Sequence, residues 1–249
     1  VSLIECPRAT IRGLHFFGTA VFMWKSTGSE LLGNEFRYPS ASRRALGASA
    51  VEFDAGAEYD IPQLKAPGPT DIKIPGNLLG ANNYHTAYNV TDNYFFRSEG
   101  SALLCHSCSN DTFENNEVLE AGYPLAHALE LSGVGGGYQV FRRNTLHTDG
   151  AGGIGQLWGT NISASLNHIQ NSGKLVTDNQ CIGGGSPSHH CVMQHNWLHS
   201  STGLGMRFDA GEDGKFGDHN NFLFMSRGVT CRVGWPISRS SRWSIGTPL

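Results

Sequence analysis

Lysine is scarce, with five in 249 residues, and acidic side chains outnumber lysine plus arginine by 21 to 18. A nucleic-acid surface needs a basic stripe, so this balance argues against nucleic acid and suits a carbohydrate or another neutral partner. Long apolar runs are missing too: nothing approaches the roughly eighteen consecutive apolar residues of a membrane-spanning helix, so no such span is expected. No linker-like, low-complexity segment divides the chain, and residues 1–249 are read as one domain. Room for helices is also lacking. Glycine-ended segments such as FRRNTLHTDG and MQHNWLHSSTG follow one another too closely to leave a regular helix between them.

Asparagine, by contrast, recurs in register. Asn34, Asn93, Asn116, Asn144, Asn167, Asn196 and Asn221 each precede an apolar residue by two places: Phe36, Phe95, Val118, Leu146, Ile169, Leu198 and Leu223. The last six asparagines recur at intervals of 23, 28, 23, 29 and 25. Three places before each asparagine come Leu31, Val90, Phe113, Phe141, Ala164 and Met193, and Asp218 breaks that run. One coil of a solenoid has about this length. The runs SALLC, HALEL and GMRFD alternate as half-buried strands do. A hydrophobic fraction of 39% is modest, but a narrow coil needs only its inward residues to be apolar.

The same reading extends to the N-terminal part. Gly13 takes the asparagine place 21 residues before Asn34, which adds an earlier rung. The 59 residues between Asn34 and Asn93 leave space for two coils plus an excursion. VEFDAG at 51–56 is expected as a rung strand. The proline-rich stretch within 57–80 is expected to protrude as a loop, because proline cannot donate to an internal ladder. The 32 glycines are expected at coil corners, where positive φ is needed.

The repeat N-x-Φ-x-x-x-G (Φ apolar), seen in NTLHTDG and NWLHSSTG over residues 85–225, resembles that of the right-handed parallel β-helix superfamily that includes pectate lyases. The resemblance implies an all-β chain wound as a single-stranded right-handed parallel β-helix solenoid of about eight to ten coils. It also implies that the turn asparagines stack as an amide ladder, each side chain satisfying its neighbour and the turn backbone. Ordinary turn asparagines are the competing explanation. The chain begins at Val1 without a leader-like segment, and neither end carries an evident cap, so a fragment is expected.

Stacked coils build sites from files of side chains. Three places beyond the asparagines stand Phe96, Leu119, His147, Gln170, His199 and Phe224, which puts His147 and His199 about 10 Å apart across two rungs. Asp149 follows His147 closely. A second file takes Leu103, Leu129 and Met206 as inward and places Leu104, Glu130 and Arg207 outward, with Asp209 further along; Gln156 and Asp178 fall between. The resemblance implies an extended glycan lying across this wall. A lyase would neutralise a uronate with arginine or with calcium held by acids, then remove a proton with a base. A hydrolase would pair carboxyl groups about 5 Å or about 6.5–9.5 Å apart.

Candidate catalytic residues are therefore Asp149, Asp178, Asp209, Arg207, His147, His199 and Glu130. Gln170, Trp197, Trp158 and Gln156 are candidates for binding, with Trp197 the ring expected to face outward. Plain structural roles compete throughout: Arg207 can simply pair with Asp209, the histidines can be wet turn residues, and Asp149 can shape its turn. FDAG recurs at Asp54 and Asp209, so at least one copy is structural.

Six cysteines permit disulfides, and Cys181 with Cys191 would staple the loop CIGGGSPSHHC. CHSC at 105–108 offers a zinc alternative, although Cys105 beside Leu103 is also explained as core. No resident cofactor is expected, apart from calcium if the chain is a lyase. Sequons at Asn89, Asn110 and Asn161, together with a possible disulfide, point to an extracellular address. The expected function is an extracellular glycoside hydrolase or polysaccharide lyase; the alternative is a non-catalytic carbohydrate-binding, adhesive or structural module.

Overall fold

The structure is a computed structural model that describes residues 1–19, 21–38, 75–80, 86–98, 101–106, 108–121, 127–132, 137–150, 152–155, 159–175, 180–184, 188–208, 221–226, 232–234 and 243–246. All regular structure among them is strand, and every strand pair is parallel. A representative coil runs through Ser101–His106, Thr112–Glu114 and Glu117–Ala121, one strand for each of three faces. First-face strands stack into a nine-stranded sheet. The second and third faces form a single 15-stranded sheet, because Val192–His199 runs unbroken through the corner that separates them elsewhere. The architecture is a parallel β-solenoid, or β-helix.

Strand length and side-chain alternation explain the pattern. Most strands of the second and third faces are three residues long, so each sends its middle side chain inward and its two neighbours outward. One inward file is Ile11, Leu31, Val90, Phe113, Phe141, Ala164 and Met193, all buried and in exact register. The other is Phe16, Phe36, Phe95, Val118, Leu146, Ile169 and Leu198. Its aromatic members stack face to face, with centroids 4.7 Å apart for Phe16–Phe36 and 4.9 Å for Phe36–Phe95. These are the residues at minus three and plus two from the asparagines.

Between these files, the corner residues form the expected amide ladder. Asn34, Asn93, Asn116, Asn144, Asn167 and Asn196 are all buried. At each step Nδ2 donates to the Oδ1 of the next asparagine, as from Asn116 to Asn144 at 3.0 Å, and the same Oδ1 accepts from the Asn116 backbone N–H at 3.0 Å. The second amide hydrogen caps a carbonyl of the preceding coil: Asn116 Nδ2 reaches Val90 O at 2.9 Å. Each ladder amide thus finds protein partners in its buried corner, as buried polar groups require.

Several expectations are corrected. Asn221 does not extend the ladder, since the register sets Met225 opposite Asn196 and Phe222 opposite Val192. Leu14, not Gly13, occupies the first ladder place, and its N–H donates to Asn34 Oδ1 at 3.1 Å. Asn34 bonds directly to Asn93, so the interval of 59 residues advances the stack by one rung and not two coils. Pro75–Gly80 is a paired strand between Phe22–Trp24 and Ser101–His106, not the end of a loop. VEFDAG lies outside the described residues.

Corners are left-handed but mostly not glycine. The residue before the ladder position has positive φ on every rung: Gly13, Gly33, Asp92, Asn115, Arg143, Leu166 and His195. A second file of such residues, Tyr38, Arg97, Glu120, Thr148, Asn171 and Ser200, lies at the corner after the third face. Gly13, Gly18 and Gly33 take some of these corners, as expected, and the non-glycine members are held there by backbone bonds between rungs. Arg143 N–H donates to Ser165 O at 3.2 Å and Arg97 N–H to Leu119 O at 2.9 Å, offsetting a cost of about 1–2 kcal/mol per left-handed residue. Among the described residues no helix is long and apolar enough to cross a membrane.

Candidate functional site

The third face carries the densest group of candidate residues. His147, Gln170 and His199 stand in register on three successive rungs, as their spacing from the asparagines requires. The file runs back through Leu119, Phe96 and Arg37; Phe224 does not continue it, because that residue pairs with Gln194. Trp197 is 54% exposed and therefore faces outward, as expected.

His168 is the member that sequence reasoning missed. It sits one place after Asn167, and in an extended strand the plus-one and plus-three side chains share the outer surface. That rule made it available: the plus-one file is Glu35, Tyr94, Glu117, Thr145, His168 and Trp197. The His168 ring lies under the Trp197 indole, with centroids 4.2 Å apart and planes 9° from parallel. Its Nε2 approaches His199 Nε2 to 3.0 Å, which obliges one ring to donate and the other to accept. Burial, followed by the nearby His199 and His147, holds the His168 pKa below the usual histidine range. His147 is fixed through Nδ1 against Thr148 Oγ1 at 2.6 Å, and His199 through Nδ1 against Ser200 Oγ at 3.2 Å.

Asp149 does not join this wall. The side chain turns inward beneath the corner after the third face and is 1% exposed. Both its oxygens meet Ser172 Oγ, at 2.9 and 2.8 Å, and Oδ1 accepts the Gly173 N–H at 2.9 Å. Burial raises its pKa to about 7. Its described role is to brace a corner, which corrects its assignment as a catalytic group on the outer surface.

Glu130 and Arg207 belong to a different face. They share one register file of the first-face sheet with Leu104, Gly155 and Gly183. Three rungs separate them, about 14 Å by strand spacing, which is too long for a direct pair. The corner near Asp149 lies between this file and the histidines. The candidate residues are thus split over two faces, not gathered on one wall. Asp178, Asp209, Gln156 and Trp158 lie outside the described residues.

A second buried acid also escaped notice. Asp111 accepts from Thr86 Oγ1 at 2.6 Å and from the Tyr88 N–H at 2.8 Å, while its Oδ2 has no hydrogen-bond partner. Burial raises its pKa to about 7. It adjoins Cys105 and Cys108, which are joined in a disulfide. That pairing replaces the expected Cys181–Cys191 bridge: Cys181 and Cys191 remain buried thiols. It also consumes the two thiolates on which a zinc reading of CHSC depends. Of the sequon asparagines, Asn110 and Asn161 are exposed at left-handed corners, and Asn89 lies within a strand.

Fold and surface together define a parallel β-solenoid with an aromatic and histidine-rich patch on its third face. No family model, curated protein or solved structure matches the chain. The resemblance to pectate-lyase-type proteins therefore rests on the sequence repeat alone.

Proposed function

We propose that the third face binds an extended polysaccharide outside the cell, with the Trp197–His168 stack as a platform for a sugar ring. The observation that carries this reading is a large indole, half exposed and held flat by a ring beneath it, in file with polar side chains on neighbouring rungs. An aromatic face offers apolar area to sugar C–H groups, and His147, Gln170 and His199 offer hydrogen bonds at rung intervals. Right-handed winding in roughly eight to ten coils is part of the same reading. The coil count is supported by the nine parallel strands of the first-face sheet.

Glycan processing, by hydrolysis or elimination, is the second reading. It is favoured by three histidines able to move protons beside the platform. It is weakened by the inward turn of Asp149, which removes a described carboxylate from that surface.

Trp197→Ala is expected to weaken binding on the order of tenfold, equivalent to about 1.4 kcal/mol, for the best ligand in a panel of neutral and uronic-acid polysaccharides. Titration calorimetry measures it, and undiminished affinity in the variant removes the platform. Assaying the same panel for new reducing ends and for unsaturated-product absorbance separates the two readings. Binding without either product supports the module, reducing ends alone indicate hydrolysis, and absorbance indicates elimination.

A further inference from the structure

Two part-buried imidazoles, His168 and His199, meet on the third face with their Nε2 atoms 3.0 Å apart. We propose that His168 and His199 form a binding site for one borderline divalent transition-metal ion, Cu(II) or Ni(II), on the third face. The inference concerns the metal alone and does not rest on glycan binding.

Distance is the first argument. Two imidazole nitrogens bound to one ion at about 2.05 Å lie about 2.9 Å apart when cis at a right angle, and about 3.3 Å apart at a tetrahedral angle. The two Nε2 atoms are 3.0 Å apart, near the cis value. Square-planar or tetragonal geometry is preferred by Cu(II) and Ni(II), whereas Zn(II) prefers the wider tetrahedral spacing. The spacing matches the former, but ring centroids 5.2 Å apart set the two Nε2 atoms nearly end to end, so both rings must turn before their lone pairs converge on one ion.

Orientation is the second argument. Ligating histidines are normally held through their other nitrogen or by packing, which fixes tautomer and ring plane. His199 has Ser200 Oγ at 3.2 Å from Nδ1, and donation there leaves its Nε2 as a bare lone pair. His168 is clamped by the parallel indole of Trp197. In the ion-free state the His168 Nε2–H donates to His199 Nε2. On metal entry that proton moves through solvent to the Nδ1 of the same ring, so both rings stay neutral and both Nε2 lone pairs face the ion.

The remaining positions are open to water. Gln170 shares the His168 strand and lies in file with His199, which makes its side-chain oxygen a candidate for a third ligand. His147 is one rung further and is engaged with Thr148. The site thus offers two strong ligands and an exposed coordination hemisphere able to accept an exogenous oxygen donor.

The test uses the full chain without a histidine tag, titrated with Cu(II), Ni(II) and Zn(II) by calorimetry at neutral pH, with electron paramagnetic resonance of the Cu(II) form. Expected are saturation at one Cu(II) per chain, nitrogen hyperfine structure from two imidazoles, and tighter binding of Ni(II) than of Zn(II). His168→Ala and His199→Ala should each weaken Cu(II) at least tenfold, while His190→Ala at a different corner leaves it within about twofold. Circular dichroism confirms the fold of each variant, and His168→Gln substitutes if the alanine variant unfolds. Unchanged Cu(II) affinity in folded His168 and His199 variants overturns the proposal. Equal loss in His190→Ala, or Zn(II) binding tighter than Ni(II), overturns it as well.

Discussion

Asn144→Ala should lower the unfolding free energy by about 4 kcal/mol, a large fraction of what a domain of ordinary stability has. Asn144 Oδ1 accepts both the backbone N–H and Nδ2 of Asn116, and its own Nδ2 donates to Phe113 O at 2.9 Å and to Asn167 Oδ1 at 3.0 Å. Alanine leaves the Asn116 N–H without its partner in a buried corner, at about 1–3 kcal/mol, takes the side-chain bond from the Phe113 carbonyl, which keeps its place in the parallel ladder, and removes packed atoms as well. Asn116 Nδ2 retains Val90 O, and Asn167 Oδ1 retains the backbone N–H of residue 144, so those two atoms add little. Asn115→Ala is the control. Its amide bonds to exposed Asp92, and because alanine suits this left-handed position less well than asparagine, the loss should stay near about 1 kcal/mol. Urea unfolding of both variants decides the matter, and a loss below 1 kcal/mol for Asn144→Ala removes the ladder as a principal source of stability.

The second large effect is a stability that declines as pH rises from about 4 to 7, against the usual acid lability of proteins. Asp149 and Asp111 both have pKa values raised from 3.8 to about 7 in the folded chain, chiefly by burial. A folded state that holds its proton more tightly than the unfolded chain gains from low pH. The contribution is complete below the unfolded pKa and is lost as pH climbs through the folded one. Each group accounts for about 4 kcal/mol between those limits. Asp149→Asn keeps an acceptor for Gly173 and gains a donor for Ser172 without ever ionising. The variant should match the parent near pH 4 and exceed it in stability above pH 7. Denaturation midpoints across that range measure the crossover, and parallel curves for the two proteins contradict a buried, proton-holding Asp149.

The parts of this fold legible from sequence were those set by short-range period. An asparagine every coil, with apolar residues at minus three and plus two, identifies the ladder and both inward files, because a three-residue strand has only one inward side chain. The same counting placed His147, Gln170 and His199 in file. It failed at Asn221, where the strand slides so that Leu223 faces Met193. There the asparagine spacing and the strand register disagree. His168 was hidden by an emphasis on a single outward file when each strand has two. Asp149 was misplaced because a corner can turn its side chain in or out, and spacing alone does not say which. The Cys105–Cys108 bridge was hidden for a related reason: Cys105 lies inward and packs like a core residue, while its partner is reached around a corner.

The direct bond from Asn34 to Asn93 gives the molecule a seam. Elsewhere a ladder step closes 20 to 29 residues of chain, but here it closes 59. The added closure entropy relative to a 23-residue step is about 0.8 kcal/mol, charged to a single joint. Rungs below the seam can zip up by nearest-neighbour growth, whereas those holding Phe16 and Phe36 must find their place on Phe95 across a long covalent detour. The N-terminal rungs are thus the ones whose docking on the rest of the stack carries that extra closure cost.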